Sequence, residues 1–139
     1  MGPQAKLPHE VIVYTDGASR GNPGPASAGV AIFSADGKLL EEISLKLGNQ
    51  TNNFAEYTAL IEALKACAAG GAKVLMVRAD SQFMIRQMQG LYKVKAEGII
   101  PLYQQCKKLT AHFEVIKFEH IPREQNVHAD RLANKALDS

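Results

Sequence analysis

Three extended runs joined by short connections precede the first helix, which favours antiparallel pairing. Val11-Ile12-Val13-Tyr14 is a short apolar run, read as a buried strand. Residues 28–34 and 39–47 read as two further strands, with Asp36-Gly37 between them. That dipeptide is a strong hairpin signal, because glycine accepts the positive φ that a tight turn needs. A parallel pair would need a long crossover, so these three strands should form an antiparallel meander. Residues 16–25, rich in Gly, Asn, Ser and Pro, read as a turn or loop.

The remainder alternates helix and strand. Residues 53–69 are rich in Ala, Leu, Glu and Lys and end at Gly70-Gly71, which predicts a helix. Residues 74–79 read as a strand and residues 81–89 as a short helix with Ser81 as its cap. Residues 99–111 predict a helix with Leu102, Cys106 and Leu109 on one side. Residues 113–121 read as a fifth strand, broken by Pro122, and residues 126–137 as the last helix. The order β-β-β-α-β-α-α-β-α implies an α/β chain with a mixed sheet covered by helices.

Composition excludes some classes. A chain of 139 residues fits one domain over residues 1–139, with residues 1–8 expected to be a short mobile tail. The apolar fraction of 46% and the charged fraction of 22% exclude a disordered chain. A net charge of +2 does not by itself argue for nucleic acid. The polar start of the sequence reads as no signal peptide, and no apolar run approaches the ~18 residues of a membrane span. A cytoplasmic location without membrane association is expected. Cys67 and Cys106 fall on apolar helix stripes, outside any C-x-x-C pair, and read as buried hydrophobes.

Four carboxylates break the local pattern. Asp16 and Asp80 each follow an apolar strand, at the edge where α/β proteins place ligands. Either one alone could equally be a cap or a turn former. Glu56 shares a helix face with Leu60, Ala63 and Cys67, the apolar one, while Glu62 and Lys65 take the solvent side. It is either compensation of the helix dipole or a functional acid. Asp130 lies inside the last helix among small apolar residues, and alone would read as an exposed acid paired with Arg131 or Lys135. Clustered buried carboxylates repel one another unless a cation sits between them, and hard oxygen donors suit Mg2+ or Mn2+. Two such ions about 4 Å apart can activate water against a phosphodiester, which needs several acids and no side-chain nucleophile.

Four segments carry a resemblance. These are Thr15-Asp16-Gly17-Ala18-Ser19-Arg20-Gly21-Asn22-Pro23-Gly24-Pro25-Ala26, Thr51-Asn52-Asn53-Phe54-Ala55-Glu56, Ala79-Asp80-Ser81-Gln82, and Asn126-Val127-His128-Ala129-Asp130-Arg131-Leu132-Ala133-Asn134. In this order, around four acids, they resemble ribonuclease H type 1. The resemblance implies a five-stranded mixed sheet with three antiparallel and two parallel strands. It implies endonucleolytic hydrolysis of the RNA strand of an RNA–DNA hybrid, with two Mg2+ or Mn2+ ions, leaving 5′-phosphate and 3′-hydroxyl ends. Asp16, Glu56, Asp80 and Asp130 match the family's metal-binding acids.

The resemblance also assigns substrate contacts. Gly17, Ala18, Ser19, Arg20, Gly21 and Asn22 match the stretch facing the ribose groups. Asn52 and Asn53 match minor-groove contacts, where an A-like groove displays 2′-hydroxyls; helix capping is their alternative and compatible reading. Thr51 resembles a DNA-phosphate contact, although Asn49 stands where a basic residue is often found. Ser81, Gln82 and Phe83 fall where the DNA strand is expected, and Asn126 joins the residues expected to face the hybrid. The stretch after Gly90 is short and lacks the basic extension of many members, as in the compact archaeal and minimal bacterial branch. Lys93 and Lys95 there are either a phosphate contact or part of a solvated loop. The assisting residue before the last acid is Arg123, with His120 as the alternative; a guanidinium can position phosphate but does not shuttle protons. His128 is expected on an exposed helix face, and His9 and His112 at the surface. A monomer without an obligate protein partner is the default expectation.

Overall fold

The computed structural model of the chain describes residues 6–139. Among the described residues, β1 (Glu10–Ser19), β2 (Gly24–Ser34), β3 (Leu39–Gln50), β4 (Val74–Ala79) and β5 (Val115–His120) form one sheet in the order β3-β2-β1-β4-β5. The helices are α1 (Asn52–Ala69), α2 (Gln82–Met88), α3 (Ile100–Thr110) and α4 (Val127–Asp138), with a 3-10 turn at Arg123–Gln125. β1 and β3 each pair antiparallel with β2, while β4 runs parallel to both β1 and β5. The mixed sheet expected from the sequence is therefore present.

The local signals explain most of these boundaries. The β2–β3 turn closes with the Ser34 N–H donating to the Lys38 carbonyl at 2.8 Å, and Gly37 takes φ +92°. Thr51 caps α1, its side chain accepting from the Phe54 N–H at 3.2 Å, so the capping role expected of Asn52 and Asn53 belongs to the residue before them. Ser81 caps α2 in the same way.

One boundary differs in a way that matters. The loop expected over residues 16–25 is largely strand, because β1 continues to Ser19 and β2 already begins at Gly24. Gly17, Ala18 and Ser19 are weak strand formers, but they pair with Ala28, Ser27 and Ala26, so ladder bonds hold them extended. Asp16 thus lies inside β1. It still reaches the sheet end on its other side, where pairing with β4 stops at Thr15 and Ala79.

The two faces of the sheet are covered differently. Side chains alternate along a strand, so Val11, Val13 and Gly17 share one face and Asp16 takes the other. On the first face, Val11, Val13, Val30, Ile32, Leu75 and Val77 are buried against Tyr57, Leu60, Ile61 and Leu64 of α1. Each such side chain contributes roughly 1.5–3 kcal/mol by burial. Glu56 is buried in line with Leu60, Ala63 and Cys67, as its position on the helix predicts. The opposite face receives α4, which packs on β1, β2 and β3. The Ser27 and Ser44 hydroxyls hold it there, donating to the Ala133 and Leu132 carbonyls, both at 2.6 Å.

Smaller differences follow. The tail expected over residues 1–8 lies outside the described residues as far as Ala5, but Leu7 is packed in the core and its N–H donates to the Gly70 carbonyl at 2.8 Å. Cys67 and Cys106 are buried free thiols, and burial pushes both up to about 12. His128 is not on a bare helix face, because it pairs with Glu42 and packs edge-on against Phe33. No helix among the described residues is long and apolar enough to cross a membrane.

Candidate active site

Four elements deliver the four acids, and the backbone explains how. Thr15 and Ala79 are partners in the parallel β1–β4 ladder, so Asp16 and Asp80, one residue further on, emerge side by side. Glu56 arrives because α1 crosses β1 where Gly17 leaves the strand bare. A Cβ at Gly17 would lie 2.3 Å from the Ala55 carbonyl carbon and from the Glu56 nitrogen. Asp130 arrives by the same device on the other face. Gly29 is the β2 partner of Asp16, and a Cβ there would lie 2.3 Å from the Ala129 oxygen and 2.6 Å from the Ala133 nitrogen.

The carboxylates of Asp16, Glu56 and Asp80 each offer an oxygen, and these oxygens lie within 4.8 Å of one another. Asp130 stands outside that trio but lines the same cleft of about 430 Å³. Its cation is Arg123, with Nη2 at 3.7 Å from Oδ1, rather than Arg131 or Lys135. Arg123 lines the cleft, whereas His120 sits half-buried at the end of β5 and does not. Of the two candidates for the assisting role, the fold brings Arg123 to the acids.

Proton affinity in the cluster is far from ordinary. Burial holds the Asp16 carboxyl up to about 9, and the charges of Glu56, Asp80 and neighbouring Asp130 act in the same direction. Burial likewise raises Glu56, to about 8, with the Asp80 charge adding to it. The Gly17 N–H, which donates to Glu56 Oε1, and the Ser81 and Asp16 side chains pull it back. Buried like charges of this kind either keep protons or take up a cation. The trio contains oxygen donors only, with no sulfur or imidazole, and that donor set fits a hard divalent ion.

The remaining expected contacts divide into those at the cleft and those apart from it. Ala18, Ser19, Arg20, Asn52, Asn53 and Ser81 line the cleft with the acids. Asn22 braces them, its Oδ1 accepting from the Asn52 N–H at 3.1 Å. Ser19 Oγ donates to the Gln50 carbonyl at 3.0 Å, Arg20 pairs with Asp138, and Gly21 takes φ +114°. Thr51 and Gln82 are exposed beside the cleft rather than within it. Phe83, 54% exposed, stacks obliquely on Tyr92 in a neighbouring groove walled by Lys93 and Lys95, which Asn53 shares.

Asn126 requires a correction. Expected to face the hybrid, it is buried, and its amide is already engaged by the Thr15 carbonyl and Asp80. Its Oδ1 has no partner but is likewise buried, away from the surface a substrate would meet. It stands one residue before α4 rather than inside it, and its side chain makes no cap bond. Nothing in the local sequence signals that the amide turns inward.

Comparison with known proteins extends the picture. Residues 14–136 match a family profile described as reverse transcriptase-like. The bifunctional protein Rv2228c of Mycobacterium tuberculosis is 42% identical over 131 residues, covering 94% of this chain and 36% of that protein. Its N-terminal RNase H domain, solved as a fusion with maltose binding protein, matches with a TM-score of 0.90, covering 93% of this chain and 99% of the solved one. Ribonuclease HI of Halobacterium salinarum is 41% identical over 128 residues, covering 92% of this chain and 64% of that protein. LC11-RNase H1, isolated from compost and solved with an RNA/DNA hybrid, matches at 43% identity and a TM-score of 0.88, covering 92% of this chain and 96% of the other. The chain spans 36% of the mycobacterial protein and 64% of the halobacterial one.

Proposed function

The chain belongs to the ribonuclease H type 1 family, and from that premise we propose that it is an endonuclease that hydrolyses the RNA strand of RNA–DNA hybrids. The observation that carries the proposal is the convergence of Asp16, Glu56 and Asp80 within 4.8 Å. The relative solved on an RNA/DNA hybrid supports the substrate. We propose Asp16, Glu56, Asp80 and Asp130 as the residues that hold Mg2+ or Mn2+. Two such ions would supply the positive charge that offsets these acids and the Lewis acidity that phosphodiester hydrolysis needs.

The protein's own residues orient the substrate around that centre. Arg123 at the rim beside Asp130 positions a backbone phosphate as a fixed cation. The strand segment from Gly17 to Ser19, with Arg20, Gly21 and Asn22, faces the ribose groups. Asn52 and Asn53 read the 2′-hydroxyls, since a side-chain amide both donates and accepts. Thr51, Ser81, Gln82 and Phe83 take the DNA strand. The products carry 5′-phosphate and 3′-hydroxyl ends. We propose a cytoplasmic monomer whose site is complete within one domain.

A labelled hybrid, a DNA duplex and a metal series test this reading. Cleavage of the RNA strand is expected only with Mg2+ or Mn2+, with duplex DNA untouched. Asp80→Asn should lose turnover and keep hybrid binding. Absence of cleavage by the intact chain across the whole series would overturn the proposal.

A further inference from the structure

Asn126 touches the segments that carry three of the four acids. It is 1% exposed. Its Nδ2 donates to the Thr15 carbonyl at 2.9 Å and to Asp80 Oδ2 at 3.0 Å. A backbone carbonyl only accepts, so the Thr15 carbonyl fixes which way the amide points. Thr15 immediately precedes Asp16 on β1, and Ala79, its partner on β4, immediately precedes Asp80. One amide therefore ties the Asp80 carboxylate to the backbone of the strand that carries Asp16. The same residue's carbonyl accepts from the Asp130 N–H at 3.1 Å, in the first turn of α4.

This geometry differs from that of the other polar residues at the cleft. Asn52, Asn53 and Arg20 are exposed and face outward, where a ligand can reach them. Asn126 makes no outward contact and no helix cap. Without its amide, the half-buried Asp80 carboxylate would lose its protein hydrogen-bond donor among the described residues and gain freedom to rotate. A ligand set whose oxygens must hold a fixed separation is sensitive to such a loss, because supporting hydrogen bonds orient the ligating atoms.

We propose that Asn126 is a positioning residue: its amide fixes the Asp80 carboxylate relative to Asp16 and Asp130, and so sets the affinity of the acid cluster for a divalent cation. The inference rests on reading the cluster as a metal site, and it replaces the hybrid contact expected for this residue.

The test measures Mn2+ and Mg2+ binding by calorimetry without hybrid, then steady-state cleavage. In Asn126→Ala, cation affinity is expected to fall about 10–100-fold. At saturating hybrid, kcat should fall with it while KM for the hybrid stays near that of the intact chain. Unchanged cation affinity and kcat, with only a lowered Tm, would overturn the proposal. A second measurement needs no Asn126 variant. In the intact protein, the Asn126 side-chain amide resonances should be protected from solvent exchange, and they should shift in Asp80→Ala. Free exchange, or indifference to Asp80→Ala, would equally overturn it. If Asn126-dependent cation binding is found in a chain that cuts no hybrid, the proposed activity falls and the positioning role stands. If the hybrid is cut and Asn126→Ala binds cations normally, the reverse holds.

Discussion

Asp16 is buried beside Glu56 and Asp80, so the charge it carries decides how the site responds to pH. Burial first, then its neighbours' charges, lifts Asp16 to about 9 from an ordinary 3.8, while Glu56 rises to about 8 from 4.5. The folded chain therefore keeps protons that the unfolded chain has already released. Stability falls wherever the folded state binds more protons than the unfolded one as pH rises. For these two acids that window runs from about pH 4 to about pH 9. In a chelator, Tm should decline across it, and Asp16→Asn should flatten the decline. At the alkaline end that variant should be more stable than the intact chain by on the order of 1 kcal/mol, as removal of a buried unpaired charge allows. Calorimetric scans over pH check this; a steeper decline in Asp16→Asn would refute the assignment of the charge. Gly29 makes a different demand. Gly29→Ala puts a methyl group into the α4 backbone, and the expected loss is about 1–3 kcal/mol, as for other overpacked sites. Because the displaced helix carries Asp130, cleavage should drop as well, with hybrid binding retained.

Elements were legible where their side chains announce them. The Asp36-Gly37 turn, the Ala-rich α1 ended by Gly70, and the apolar β4 all sit where the sequence puts them. The continuation of β1 through Gly17, Ala18 and Ser19 was not legible, because hydrogen bonds to β2 rather than side-chain preference keep it extended. The same limit applies at the site. Glu56 was legible because a charged residue on an apolar helix stripe conflicts with the pattern. The inward turn of Asn126 was not, since it depends on the chain entering α4 beside Thr15 of β1 and Asp80 at the end of β4, contacts made across 111 and 46 residues of chain. The start of α1 offers an element-scale test. Thr51 is its cap, so Thr51→Ala should cost about 1 kcal/mol in urea unfolding, most of it as fraying of the first turn. That turn bears Asn52 and Asn53, and hydrogen exchange at Phe54 and Ala55 should rise. Unaltered exchange there would mean that packing alone fixes the helix start.

On the proposed metal reading, the whole molecule couples cation binding to folding. A cluster drawn from β1, α1, the end of β4 and α4 has no counterpart in the unfolded chain, so a bound cation stabilises the fold by its binding free energy. Ligation requires the carboxylates to release their protons. The gap in Tm between excess Mg2+ and chelator should therefore widen from acid to alkaline pH, against the decline expected without metal. A gap independent of pH would argue that the cation binds elsewhere. The spread of the acids along the chain, from Asp16 to Asp130, has a further consequence for a nuclease in the making. On the ribosome, a nascent chain that has exposed β1, α1 and β4 holds three of the acids but neither Asp130 nor Asn126. Messenger RNA is close at hand during synthesis, and on the proposed reading the chain is then still unarmed. On that reading it becomes a competent nuclease only when α4 has emerged and docked.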